Sequence, residues 1–130
     1  MSLLKDARGL PTTGVDQSQL DSYESILVDL YLYQPGVQKR LDALLAQAPG
    51  FVMGYVLRGY SIMTDGLRSG IVDARRFLNQ AQALSRTATE RERVHLLALQ
   101  AWVDGRLSER LHALEEIVMR WPLDLLAYRQ

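Results

Sequence analysis

His95 is the residue of this 130-residue chain whose neighbours best equip it to move a proton. Arg91 precedes it by four positions and Glu92 by three, so on a helix all three side chains share a face. A carboxylate beside an imidazole can orient the ring for general-base work. The competing use is structural: Glu92 caps a helix, and His95 fills a groove edge while bonding a neighbour. No second catalytic group stands at a defined spacing, which favours the structural use. His112 with Glu115 or Glu116 supplies metal-binding residue types, but not the spacing of a metal site. The chain also has no phosphate-binding glycine loop, nucleophile elbow, zinc-protease helix or calcium loop. The residues therefore predict a non-catalytic protein with no metal and no cofactor. The alternative is a small-molecule-binding or enzymatic pocket built around His95, Glu92 and Arg91.

Aromatic side chains offer a different chemistry, that of contact. Trp102 continues an apolar stripe and reads as core. Trp121 closes the last full helix and is either core or an anchor for a peptide. Tyr31 and Tyr33 beside Pro35, with Tyr55 and Tyr60, form a loose set that either packs inside or lines a concave face. The clusters Arg75-Arg76 and Arg91-Glu92-Arg93 read as solvated faces, and Asp124 is placed to cap a final helix after Pro122. Arg91, Glu92, His95, Trp121, Tyr55 and Tyr60 are thus the candidate interaction or pocket residues.

Composition narrows the classes further. Lysine plus arginine number 15 and so do aspartate plus glutamate, so no net field draws the chain to nucleic acid or to an anionic membrane. Only Lys5 and Lys39 are lysines, a bias that GC-rich coding explains without any function. Cysteine is absent, which excludes disulfides, thiolate zinc sites and cysteine nucleophiles, and fits a reducing compartment. The first residues lack the pattern of a signal peptide. No apolar run approaches the roughly 20 residues needed to cross a bilayer. A soluble cytoplasmic protein is the expectation.

The elements that must position these residues are all helical. Residues 1–15, with Gly9, Pro11 and Gly14, read as an irregular arm. Asp16 or Ser18 then caps a first helix with Leu20, Tyr23, Leu27 and Leu30 at three- and four-residue steps. A second helix runs from about residue 36 to 47, bounded by Pro35-Gly36 and Pro49-Gly50. A third covers residues 51–65, and its Gly54 and Gly59 predict a neighbouring backbone at close range. The fourth opens at Ser69-Gly70 and buries Ile71, Ala74, Leu78, Ala81 and Leu84. Thr89 with Glu92 spells a capping box for the fifth, and Thr87 with Glu90 is an alternative. That helix buries Val94, Leu97, Ala98, Ala101 and Trp102 and ends at Gly105. The sixth carries Leu107, Leu111, Leu114, Ile117, Val118 and Trp121 up to Pro122, and a stub follows over 123–130.

Two stretches repeat one another at a separation of 39 residues. Gly59, Gly66 and Leu78 correspond to Ala98, Gly105 and Ile117. A small residue in one helix, a glycine at the turn and a second amphipathic helix outline a helix–turn–helix unit. The expected fold is all-α: a right-handed stack of antiparallel hairpins, a tetratricopeptide-like α-solenoid of about six helices plus a C-terminal stub. The hairpins are expected at about 16–48, 50–86 and 89–121, within a single repeat domain over 16–130. The third pair fits the tetratricopeptide pattern best, although Arg110 stands where a small residue is expected.

Three segments carry a more specific resemblance. Thr89-Glu90-Arg91-Glu92-Arg93-Val94-His95, continuing through Ala98 and Trp102 to Gly105, is similar to the tetratricopeptide repeat protein 38-like family. So are Pro122-Leu123-Asp124-Leu125-Leu126-Ala127 and, more weakly, Gly9-Leu10-Pro11. Members are usually several hundred residues long, so the resemblance implies either the N-terminal part of a longer protein or a short homologue. It further implies a helical-repeat protein that works through interactions, with a protein or peptide partner. A stack that stops after three hairpins leaves an apolar end, which predicts a homodimer through the C-terminal helices.

Overall fold

Six helices account for nearly all regular structure in the computed structural model, which describes residues 3–66, 68–124 and 126–127. They are α1 (Gln17–Tyr31), α2 (Val37–Gln47), α3 (Val52–Asp65), α4 (Gly70–Gln82), α5 (Glu90–Val103) and α6 (Leu107–Arg120). Each starts and stops where the local chemistry directs. Asp16 makes a reciprocal capping box with Gln19 at α1, and Thr89 does the same with Glu92 at α5. Of the alternatives above, Asp16 rather than Ser18 and Thr89 rather than Thr87 hold the caps. Gly66 and Gly105, the glycines of the 39-residue correspondence, both take left-handed backbone at φ 73° and 74°, where a Cβ is disfavoured. Leu78 and Ile117 are both fully buried, so the correspondence extends to packing.

The helices pack in neighbouring pairs, α1 on α2, α3 on α4 and α5 on α6, with α3 also touching α2 and α5. Burial explains why α3 is central. It is apolar nearly all round, and residues from Val52 to Ile62 are buried except Arg58. Its main core joins Leu20, Ile26, Leu41, Phe51, Leu78 and Leu99. A smaller core gathers Val94, Ala98, Ala113, Leu114, Ile117 and Ala127 between α5, α6 and the segment after them.

Four expectations need correction. The arm is not irregular throughout: β1 (Leu4–Lys5) pairs antiparallel with β2 (Pro11–Thr12), Leu4 opposite Thr12. Two residues per strand are too few to show alternation in a sequence. Gly54 and Gly59 do not meet a neighbouring backbone. A Cβ at Gly54 would strike the Phe51 ring and Leu45, and one at Gly59 would lie 2.6 Å from Leu99 Cδ2, so side chains fill the space. Ile71 and Leu97 are exposed rather than buried, and Leu107 and Leu111 of the sixth helix's stripe are exposed too, because the helix faces that meet neighbours are narrower than the apolar stripes. Leu84 and Trp102 are half-buried, packed at the edge of the main core. Of the stub expected over 123–130, Leu123 and Asp124 lie in the turn after α6 and are not helical, whereas Leu126 and Ala127 are helical; Leu125 and residues 128–130 lie outside the described residues.

Candidate functional site

The first turn of α5 presents two adjacent ionised side chains to the interior. Arg91 and Glu92 are both buried, an arrangement that requires partners because an unpaired buried charge is costly. Glu92 finds two backbone donors. Its Oε1 accepts from Thr89 N–H at 2.8 Å, closing the capping box, and its Oε2 accepts from Thr13 N–H at 3.0 Å. The second bond reaches the N-terminal arm, which Thr13 Oγ1 also fastens by donating to Thr87 O at 3.3 Å.

Arg91 turns to the other side of the sequence. Its Nη1 donates to Asp124 Oδ2 at 2.9 Å, and His95 Nε2 lies 2.7 Å from the same oxygen. Asp124 is delivered there by a turn: Trp121 N–H still bonds Ile117 O, and Asp124 N–H bonds Trp121 O. Trp121 packs against the smaller core, with the Arg120 guanidinium 4.5 Å from its ring centroid, and so anchors this turn. The carboxylate that orients His95 is therefore Asp124, not Glu92. Nor is capping sufficient to explain Asp124, whose Oδ2 serves both Arg91 and His95.

The partners fix how His95 carries its protons. Nε2 faces a carboxylate, so it bears hydrogen and donates. Nδ1 lies 2.8 Å from Tyr60 Oη, which is also 3.3 Å from the His95 carbonyl. In the neutral ring, Tyr60 donates to Nδ1. In the charged ring, Nδ1–H donates to the phenol oxygen while Tyr60 donates to the carbonyl. Both states leave every nitrogen partnered.

The electrostatics follow from burial and neighbours. Burial by itself drives the Asp124 carboxyl upward, but the hydrogen bond and charge of His95, then of Arg91, outweigh it and hold the group well below its ordinary range. Tyr60 is pushed well above the ordinary phenol value, first by burial and then by the Asp124 charge, so it remains a donor. The ensemble is a closed relay, Tyr60–His95–Asp124–Arg91, carried by α3, α5 and the turn after α6. His95 is fully buried, so no pocket opens on it. A cavity of about 10 Å³ adjoins Arg91 and Asp124, lined also by Asp6, Arg8, Tyr23 and Leu126 among others, and is no larger than a single water.

Of the six candidates, the structure joins Tyr60 to His95 directly and Arg91 to His95 through Asp124, and holds Glu92 beside them on a separate set of partners. Tyr55 stands apart: it is buried, and its hydroxyl donates to Pro49 O at 3.1 Å. Trp121 acts through the turn it anchors. His112 is exposed on α6, where it lines a different groove with Glu116. Among the described residues no group of three or more metal-ligating side chains is placed to hold an ion.

Sequence reasoning missed a second charged group at the arm. Arg8 bonds Asp6 Oδ2 at 2.9 Å and both oxygens of Glu24 at 2.9 and 3.1 Å, and Asp6 also accepts from Leu10 N–H. Asp6 and Arg8, two positions apart on either side of a turn, were the readable signal. No protein-family model and no solved structure matches the chain.

Proposed function

We propose that this chain is a tetratricopeptide-like helical-repeat module, related to the tetratricopeptide repeat protein 38-like family, that binds a protein or peptide partner in the cytoplasm. The observation that carries the reading is where the reactive side chains go. His95, Arg91, Glu92 and Tyr60 are spent inside, fastening the N-terminal arm and the turn after α6 to α5. The surface instead offers an open groove of about 600 Å³ between the end of α1, the start of α2 and α3. Leu30, Val37 and Leu57 give it an apolar floor, with Tyr33, Thr64 and Asp65 as polar or aromatic contacts.

Further observations bear on the parts of this reading. Neighbouring pairs in which α2 also touches α3, and α4 also touches α5, fit a progressive stack of hairpins. The segments that carry the family resemblance also converge: Arg91 and His95 of the first meet Asp124 of the second. Among the described residues, no helix is long and apolar enough to cross a membrane.

Peptide-display selection on the immobilised protein tests the reading. Enriched peptides should bind with micromolar affinity, and Val37→Asp should weaken them about tenfold or more. The alternative, a small-molecule or enzymatic site around His95, Glu92 and Arg91, predicts the opposite pattern. Metabolite screening by thermal shift would then yield a stabilising ligand whose effect disappears in His95→Ala, and no peptide would be enriched.

A further inference from the structure

Three buried side-chain nitrogens have no hydrogen-bond partner among the described residues: Arg58 Nη1, Arg91 Nε and Arg110 Nε. Leaving a buried donor unpaired is costly, so folded proteins do it seldom. Two of these guanidiniums lie over aromatic rings. Arg58 is 5.0 Å from the Phe77 centroid and Arg110 is 4.4 Å from that of Trp102, so the electron-rich ring face meets the positive charge. Among the described residues no ring takes Arg91 in this way. Beside Arg91 lies instead the cavity of about 10 Å³.

Size and charge decide what fits that cavity. Its volume is about that of one solvent probe, which is room for a single water and no more. Arg8 and Arg91 line it together with Asp6 and Asp124, so its walls carry no net charge and favour a neutral occupant over an ion. The same walls can complete a water's hydrogen bonds. Arg91 Nε–H needs an acceptor. Asp124 commits Oδ2 to Arg91 and His95, which leaves Oδ1 to accept. The Tyr23 phenol is pushed well above its ordinary range, first by burial. The charges that act on it are those of Arg91, Arg8, Asp124 and Asp6, the four that line the cavity. Its hydroxyl therefore stands among them, protonated and able to donate or accept.

We propose that this cavity binds one internal water, which accepts from Arg91 Nε–H, bonds the Tyr23 hydroxyl and donates to Asp124 Oδ1. Three bonds are the usual complement of a buried water. This one joins α1 and α5 to the turn after α6, with Asp6 and Arg8 of the arm in its wall. It is independent of what occupies the groove between α1, α2 and α3.

A crystal structure of the full chain, at a resolution that shows ordered solvent, tests the site directly. The expected result is a density peak within ~3.2 Å of both Arg91 Nε and Tyr23 Oη. In solution, Arg91 Hε should show a cross-relaxation peak to water of the sign that marks a long-lived neighbour. Tyr23→Phe keeps the ring that meets Phe51 edge-on at 4.8 Å but removes one of the water's bonds. Arg91 Hε should then exchange with solvent about five- to tenfold faster. A site without density, or an Arg91 Nε that bonds a protein oxygen, overturns the proposal. An anomalous peak at the site in bromide-soaked crystals would make it an anion site and overturn the choice of water. An unchanged exchange rate in Tyr23→Phe overturns the bond assigned to Tyr23.

Discussion

Asp124 concentrates two donors on one carboxylate oxygen, and its low proton affinity has a measurable consequence for stability. In the unfolded chain the group titrates near its ordinary value of 3.8, and in the folded chain it titrates lower. A depressed folded pKa contributes stability that is complete above the unfolded value and is lost as pH falls through the folded one. Asp124→Asn should therefore cost about 3–5 kcal/mol at neutral pH, because Arg91 loses its counter-charge in a buried site. The gap between wild type and variant should close as pH drops below about 4. Urea unfolding across that pH range measures it, and a gap independent of pH would show that the charge is not what holds the site. At this scale the sequence was legible where bonds are local. The spacing of Thr89 and Glu92 announced the capping box, because both groups lie within one helical turn. The bond from His95 to Asp124 spans 29 residues and a turn, and no local periodicity encodes it.

At the scale of elements, glycines and prolines marked helix ends because their backbone preferences act without help from the rest of the chain. Exposure was less legible. Leu97, Leu107 and Leu111 fit apolar stripes as well as Leu114 does, and which flank is covered depends on how neighbours sit. The same limit applied to Gly59, whose role is to admit the side chain of Leu99. Gly59→Ala gains about 1 kcal/mol of helix propensity but forces a methyl against a fully buried leucine. Overpacking of this kind costs about 1–3 kcal/mol, so the variant should melt lower than wild type. Pairing it with Leu99→Val should recover part of the loss, because the two positions share one space. Thermal unfolding of both variants checks this, and an additive second loss would place the strain elsewhere.

For the whole molecule, the first turn of α5 is where distant parts of the chain are tied together. Glu92 holds the arm, Arg91 holds the turn after α6, and α3 joins through Tyr60 and His95. Glu92→Ala should release the arm while leaving the helical pairs intact. Limited proteolysis should then cut within residues 3–15 at least tenfold faster than in wild type, with little change in circular dichroism. Equal cleavage rates would mean that the ladder between β1 and β2 and the Arg8–Glu24 pair hold the arm unaided.

The tie between Thr13 and Glu92 also sets an order of assembly. Its partners are 79 residues apart, whereas each helical pair closes over a short connection. Local helical contacts form early in folding, and closing a long loop is rewarded only after its ends are organised. The tie therefore forms on the native side of the folding barrier. Loss of this one bond should quicken unfolding while the refolding rate stays nearly constant, which makes the Thr13–Glu92 tie a brake on opening rather than a guide to collapse.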